Sequence, residues 1–224
     1  MTGSHTTCWT IVRGAAAGRA GDRRQFAERY LGVVRAYLIA RWRGTPLIQE
    51  LDDAIQEVFV ESFRPGGALE RVDAERASAG FRGFLLGVVR NVARRIEQRQ
   101  GRGRQVPAEA TPANGADETL SRVFDRAWAR TVMREAAARQ RERAAGAPDA
   151  EQRVELLRLR FHEDLPIRRI AELWGADPEA LHREYARARR EFRAALTDVV
   201  AFHHPGAPAA IDAECVELVR LLGE

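Results

Sequence analysis

Apolar residues recur at intervals of three and four in almost every segment of this chain, and that spacing is the strongest constraint on its fold. Side chains at such intervals share one face of an α-helix, whereas a half-buried strand needs strict alternation of apolar and polar residues. The chain has no convincing alternating segment and no glycine-rich nucleotide-binding loop. The sequence therefore predicts an all-α fold, and 224 residues are enough for one or two domains.

The predicted helices form two groups, and a segment without large apolar residues lies between them. This segment, Gly101 to Asp117, is rich in glycine, proline and alanine, a composition typical of a flexible linker. Helices are expected at about 23–42, 51–63, 81–100 and 118–144, followed by a helical block that reaches residue 200. The expected organisation is a first helical domain at 1–100, a linker with a helix at 101–150, a second helical domain at 151–200 and an extension at 201–224.

Composition narrows the class of protein. Hydrophobic residues make up 45% of the chain and charged residues 30%, as in a water-soluble globular protein. An apolar run of about 18 residues is absent, so no membrane span is expected. The amino terminus lacks a basic start followed by a long apolar stretch, which predicts a cytoplasmic protein. All 36 basic residues are arginines, which a GC-rich genome explains most simply, although arginine also suits contacts with phosphates and base edges.

Cysteine and histidine give little support for a cofactor. Cys8 and Cys215 lie at opposite ends of the chain without CxxC spacing, so reduced thiols are expected. His203 and His204 together with Cys215 supply too few ligands, at no recognised spacing, for a zinc site. Neither a metal nor another cofactor is predicted.

Residues 167–192 carry the sequence pattern of a helix-turn-helix. Ala171 is small where the second helix must cross the first closely, and Gly175 permits the tight turn. Asp177 is placed to cap the second helix, and the proline that follows it suits the first helical position. Leu181 begins an apolar stripe, so the second helix is expected to have one buried side and one outer side.

The outer side of that second helix is the candidate DNA-binding surface. It comprises Glu179, His182, Arg183, Ala186, Arg187 and Arg190. Arg183 and Arg187 can each bind the two acceptors of guanine, and Glu179 can accept from cytosine. Arg190 is better placed for phosphate. An ordinary solvated charged face is the alternative, but it does not account for the small residues at the turn.

A second basic surface is predicted on the helix at 81–100. From Arg82 to Arg104 there are seven arginines and one acid, and such a one-signed stripe can follow a nucleic-acid backbone. One side of the helix gathers Arg90, Asn91, Arg94 and Gln98. Among these, Asn91 can hydrogen-bond a base edge.

The helix at 51–63, LDDAIQEVFVESF, has the opposite charge. From Glu50 to Glu61 there are five acids and no base. Its outer side is predicted to carry Asp53, Gln56, Glu57 and Val60. Asp53 and Glu57 lie one turn apart and are compatible with an enzyme that uses paired carboxylates or a metal. No histidine, cysteine or phosphate-binding loop lies nearby in sequence, and an exposed valine among carboxylates favours a protein interface.

Together these residues resemble the bacterial RNA polymerase sigma factors of the extracytoplasmic-function (ECF) group, which keep only the second and fourth conserved sigma regions. The first signature, an acid and Gln-Glu-x-Phe, is matched by Asp53, Gln56, Glu57 and Phe59. The second, an aromatic-rich helix with Arg-Asn, is matched by Phe81, Phe84, Leu85, Arg90 and Asn91. The fourth-region pattern is matched by Leu157 to Phe161, Ile170, Ala171, Gly175, Leu181 and Ala188. The chain departs from the family at Arg95, often an acid there, and at Phe84, usually a tryptophan.

The resemblance implies a protein without catalytic activity that binds core RNA polymerase and directs it to promoter DNA. The outer side of the 51–63 helix would dock on the clamp helices of the β′ subunit, and the Arg90/Asn91 helix would recognise the −10 element. The helix-turn-helix would read the −35 element, its first helices also touching the β flap. An anti-sigma protein or another regulator is a further candidate partner. A free-standing helix-turn-helix regulator and the carboxylate enzyme remain as alternatives.

Overall fold

The computed structural model describes residues 8–63, 80–103, 114–204 and 206–223, and all regular structure within them is helical. In these segments the α-helices are α1 (Cys8–Ala16), α2 (Ala20–Trp42), α3 (Leu51–Phe63), α4 (Gly80–Gly103), α5 (Asn114–Ala144), α6 (Pro148–Phe161), α7 (Ile167–Trp174), α8 (Pro178–His203) and α9 (Pro208–Gly223). A short 3-10 helix, Pro46–Glu50, leads into α3. The predicted all-α fold is confirmed. The loop expected after Phe63 and most of the expected linker lie outside the described residues.

Helix boundaries extend beyond the predicted ones at several ends. α4 continues to Gly103 and α5 begins at Asn114, four residues before its expected start. α1 was not predicted, and it buries Ile11, Val12 and Ala15. Within the described segments, every helix is too short or too polar to cross a membrane.

The chain divides into two compact units. The first comprises Met1–Thr131 with Ala201–Glu224, and the second comprises Val132–Val200. The first unit therefore contains α1 to α4, the first part of α5 and α9, while α6 and α7 belong wholly to the second. The residues predicted as an extension at 201–224 thus pack with the first unit, and α5 contributes to both units.

An aromatic cluster forms the centre of the first unit. Phe26 of α2 contacts Tyr30 edge-on, with ring centroids 4.9 Å apart, and Phe81 of α4 at 5.9 Å. Tyr30 also stacks on Trp128 of α5 at 5.7 Å, and His203 meets the same tryptophan edge-on at 5.1 Å. Because these rings come from four helices, their packing fixes the first unit around α2.

A small aliphatic cluster forms the core around α6, α7 and the start of α8 in the second unit. Leu156 of α6, Ile170 and Ala171 of α7, and Leu181 of α8 are all buried and pack together. Leu181 lies on the buried side that its helical spacing predicted, and the cluster holds the two helices of the turn in place.

Candidate nucleic-acid and polymerase-binding surfaces

The turn between α7 and α8 is built from local hydrogen bonds. Gly175 adopts left-handed backbone angles, with φ 60° and ψ 32°, and the Ala176 amide donates to the Ala171 carbonyl at 2.9 Å. This pattern closes the end of α7 in the manner of a Schellman motif. The Asp177 carboxylate then accepts from the Ala180 amide at 2.8 Å and caps α8. The turn thus fixes where the outer side of α8 points.

All six residues predicted for the outer side of α8 are exposed. They are Glu179, His182, Arg183, Ala186, Arg187 and Arg190. The opposite stripe supplies buried residues, among them Leu181 and Ala188. The exposed arginines are therefore placed together on one side of a helix whose other side is packed.

Charge on the outer side of α8 is largely open to solvent. Arg187 forms an ion pair with Glu184 at 2.8 Å, in which the arginine side chain remains 59% exposed. Within the part of the chain that the structure describes, neither Arg183 nor Arg190 has an ion-pair partner. Their guanidinium donors are available to a ligand, since a guanidinium carries five N–H donors and no acceptor.

A partly buried arginine ties α8 to α6. The Arg153 side chain is 16% exposed and reaches Glu191 at 2.8 Å and Glu184 at 3.3 Å. Its hydrogen bond to Glu191 is the main cause that raises the pKa of Arg153 above the ordinary value. This bridge holds the inner edge of α8 while leaving its outer side uncovered.

The predicted docking side of α3 is only partly open. Asp53, Gln56 and Val60 are exposed, and Val60 presents 58% of its surface to solvent. Glu57 is half-buried and forms ion pairs with Arg95 at 3.1 Å and with Arg99 of α4. Three of the four predicted residues therefore face outward, and the fourth also joins α3 to α4.

On the predicted basic side of α4, two amide residues are exposed and two arginines contact α5. Asn91 and Gln98 are exposed. Arg90 Nη2 donates to Ser121 Oγ at 2.8 Å and to the Asp117 carbonyl at 3.4 Å. Arg94 Nη2 lies 3.4 Å from a carboxylate oxygen of Asp117. The two arginines predicted to bind DNA thus contact the first turns of α5.

The most buried ion pair of α4 was not predicted from the sequence. Arg41, with its side chain only 7% exposed, donates to both carboxylate oxygens of Glu97 at 2.7 and 3.0 Å. The Trp42 indole N–H donates to the same carboxylate at 2.8 Å, and Asp117 lies 3.7 Å from Arg41. The hydrogen bond to Glu97 raises the pKa of Arg41. The available signal was that Glu97 is the one acid in an arginine-rich helix.

The histidines and cysteines do not form a metal centre in the described residues, where no group of three or more candidate ligands comes together. His203 is buried among aromatic rings, and its backbone carbonyl accepts a hydrogen bond from Cys8 Sγ at 3.4 Å. Cys215 is a buried free thiol. The carboxylate pair considered for an enzyme consists of an exposed Asp53 and a Glu57 that is bonded to arginines.

Comparison of the chain with models of known protein families and with curated proteins gave no match.

Proposed function

We propose that this protein is a sigma factor of the extracytoplasmic-function type, which binds core RNA polymerase and directs it to particular promoters. The observation that carries the proposal is the α7–α8 helix-turn-helix, which exposes a row of arginines on the outer side of α8. The acidic outer side of α3 and the order of the sequence signatures along the chain also support it.

In this proposal α8 enters the major groove and reads the −35 element. The amino-terminal turns of such a helix lie nearest the base edges. Arg183 and Arg187 are on those turns and can bind guanine, while Arg190, farther along, suits a phosphate. Phe161 of α6 and Leu173 of α7 are 67% and 63% exposed, and they offer apolar contacts for the β flap.

The proposed contact with the β′ clamp helices lies on α3. Asp53 and Gln56 offer polar contacts beside the exposed Val60, a combination that suits a protein interface better than a catalytic site. Because Glu57 also holds Arg95 and Arg99, replacing it would disturb the fold and the docking side together. Val60 and Asp53 are therefore the better positions for a test.

The proposed contact with the −10 element lies on α4. Asn91 and Gln98 are free to hydrogen-bond base edges from an exposed surface. Arg90 and Arg94 can reach a DNA strand only by exchanging their contacts with Asp117 and Ser121. The ion pair between Arg94 and Asp117 is partly exposed and therefore weak enough to exchange, whereas Arg90 would have to give up part-buried hydrogen bonds.

Run-off transcription with purified core polymerase and genomic promoter fragments tests the proposal. Discrete transcripts that require the added protein are expected, and pull-down should show binding to core polymerase. No transcripts together with no core binding would overturn the proposal. Tight operator binding by the protein alone would instead favour the free-standing regulator.

Variants on α3 locate the docking side. Val60→Glu and Asp53→Arg should both weaken core binding while leaving the helical content unchanged. The matched control is Asp52→Arg, because Asp52 is an exposed neighbour on a different side of α3, where it pairs with Arg35 at 3.0 Å. Equal losses in Asp52→Arg and Asp53→Arg would exclude the proposed side. Metal-dependent activity that Asp53→Ala abolishes, with core binding retained, would favour the enzyme.

A further inference from the structure

Glu184 of α8 bonds two arginines at once. Its Oε1 atom accepts a hydrogen bond from Arg187 Nη1 at 2.8 Å, and its Oε2 atom accepts from Arg153 Nη1 at 3.3 Å. Arg187 belongs to the outer side of α8, where its side chain is 59% exposed, whereas Arg153 comes from α6 and its side chain is 16% exposed. The carboxylate therefore joins an exposed arginine to one that is largely covered.

A second acid of α8 fixes Arg153. The Arg153 Nε atom donates to Glu191 Oε1 at 2.8 Å while its Nη1 atom reaches Glu184, so different edges of the planar guanidinium are held. Glu184 and Glu191 lie seven residues apart, about two turns, and therefore share one side of α8. Arg153 thus restrains Glu184 from a neighbouring helix.

A pair of the same type without this support lies within α6. Glu155 and Arg158 have the same three-residue spacing as Glu184 and Arg187, and their side chains are 45% and 47% exposed. Both carboxylate oxygens of Glu155 accept from this one arginine. Exposed pairs of this kind are weak and hold neither side chain firmly. Glu184 differs because its second oxygen is bonded to another helix.

The bond to Glu184 uses only one end of the Arg187 guanidinium. The Nη1 atom donates to Glu184, whereas the Nε–H and the Nη2–H beside it donate to no group in the segments that the structure describes. Two parallel N–H donors match the O6 and N7 acceptors of guanine. A long side chain normally loses freedom when it binds a ligand, and a side chain that is already held loses less.

We propose that Glu184 is a positioning residue for DNA recognition, which holds Arg187 with its Nε and Nη2 donors open to a guanine, and that Arg153 fixes Glu184 for this role. The inference rests on the proposed function, because it requires that α8 binds DNA. Base recognition by α8 then depends on Arg153 of α6, although this arginine does not itself contact a base.

Transcription by core polymerase with the full chain, from promoters altered at single −35 bases, tests the role of Glu184. Arg187→Ala identifies the position at which Arg187 reads guanine. Glu184→Gln should lower the preference for guanine at that position by about three- to tenfold, the cost of ordering one long side chain, and leave other positions unchanged. Adding Glu184→Gln to Arg187→Ala should have no further effect on base preference.

Glu155→Gln is the matched control for Glu184→Gln. It changes the net charge equally and weakens a pair with the same spacing, but this pair lies within α6. Base preference should therefore remain that of the wild type. An equal loss at the same base in both variants would indicate a general charge effect and would overturn the inference.

Arg153→Lys tests the support from α6. Lysine keeps the positive charge but lacks the planar fork that holds Glu184 and Glu191 together. The preference for guanine at the position read by Arg187 should fall, by no more than in Glu184→Gln, and the double variant should match Glu184→Gln. Unchanged preference in Arg153→Lys, with the variant folded by circular dichroism, would overturn the role of Arg153.

The outcomes separate this inference from the proposed function. A preference that Arg187→Ala loses and Glu184→Gln keeps would overturn the inference alone. An equal loss of transcription from every promoter in Glu184→Gln would also overturn it, because a purely structural role has no base-specific effect. A wild-type protein without preference at any −35 base, or with none that depends on Arg187, would overturn DNA recognition by α8 and the inference with it.

Discussion

The helices α4 and α8 are both rich in arginine, but the structure gives their charges different surroundings. On α4, Arg90 and Arg94 contact the first turns of α5, while Arg95 and Arg99 pair with acids of α3. On α8, the arginines of the outer side project into solvent, and the pair between Arg187 and Glu184 is formed within α8 itself. Similar charge patterns in sequence thus produce one surface that is bonded within the fold and another that is exposed to solvent.

The difference separates three kinds of arginine. Arg41 is almost fully buried and holds Glu97, so its charge is part of the core of the first unit. Arg90 is half-buried and hydrogen-bonds Ser121, and Arg94 is exposed with an ion pair to Asp117 that contributes at most about 1 kcal/mol. Arg183 has no partner among the described residues. Removing the partner of Arg41 should therefore lower the stability of the fold. Removing the partner of Arg94 should change how readily this arginine can contact DNA, and removing Arg183 should change the recognition of DNA bases.

Glu97→Ala is expected to have the largest effect. It leaves the buried Arg41 guanidinium and the Trp42 indole N–H without their acceptor. Arg41 then keeps only a longer contact with Asp117 at 3.7 Å and its hydrogen bond to Tyr37. Because a buried charge that loses its main partner is costly, the free energy of unfolding should fall by about 3 kcal/mol. Chemical denaturation measures this change. The control is Glu179→Ala on the exposed side of α8, where a change within about 0.5 kcal/mol is expected, and equal losses in the two variants would contradict a structural role for Glu97.

Arg183→Ala tests the open surface, on the basis of the proposed function. If Arg183 binds a guanine through two hydrogen bonds, its loss should reduce discrimination at one base of the −35 element by about 1–3 kcal/mol. Stability should not change, because the side chain is exposed. Quantitative transcription from promoters altered at single bases measures the loss. Arg24→Ala is the control, since Arg24 lies on α2, outside the helix-turn-helix, and is exposed while it pairs with Glu28 at 2.8 Å.

The helix-turn-helix could be predicted because its determinants are local. Gly175, Asp177 and the spacing of the apolar residues act within one or two turns of chain, and each has the role that was expected. α1 could not be predicted in this way, because it is short and its burial depends on packing against α2. α9 lies in the segment predicted as an extension, and helical spacing alone does not specify that its buried side packs with the first unit.

The exposed positions on α3 and α4 were predicted less completely. The outer side of α3 was correctly expected to expose Asp53, Gln56 and Val60, because helical phase alone decides it. The partners of Arg90 and Arg94 come from α5, more than twenty residues away in sequence. Helical spacing carries no information about such a contact, so the bonding of Arg90 and Arg94 to α5 could not be predicted from the sequence.

Substitution of Asp177, the N-cap of α8, tests whether local hydrogen bonds position the outer side of this helix. Asp177→Ala removes the acceptor for the Ala180 amide and should lower the free energy of unfolding by about 1 kcal/mol. Asp177→Asn should retain most of this stability, since asparagine is an equally good cap. Thermal unfolding of both variants measures the difference. Equal stability of Asp177→Ala and the wild type would mean that the tertiary core alone positions α8.

Asp117→Asn tests whether the arginines of α4 are held back by α5. The substitution removes the charge that faces Arg94 and Arg41, while an amide of the same size remains. Since a partly exposed pair contributes at most about 1 kcal/mol, binding of a single-stranded −10 oligonucleotide to the full chain should strengthen by no more than about fivefold. Fluorescence anisotropy at fixed salt measures the affinity.

Glu118→Gln is the control, because it changes the net charge equally but removes a pair with Arg122 within α5. Equal gains in both variants would indicate a general charge effect, and weaker binding in Asp117→Asn would mean that Asp117 orients the arginines for DNA.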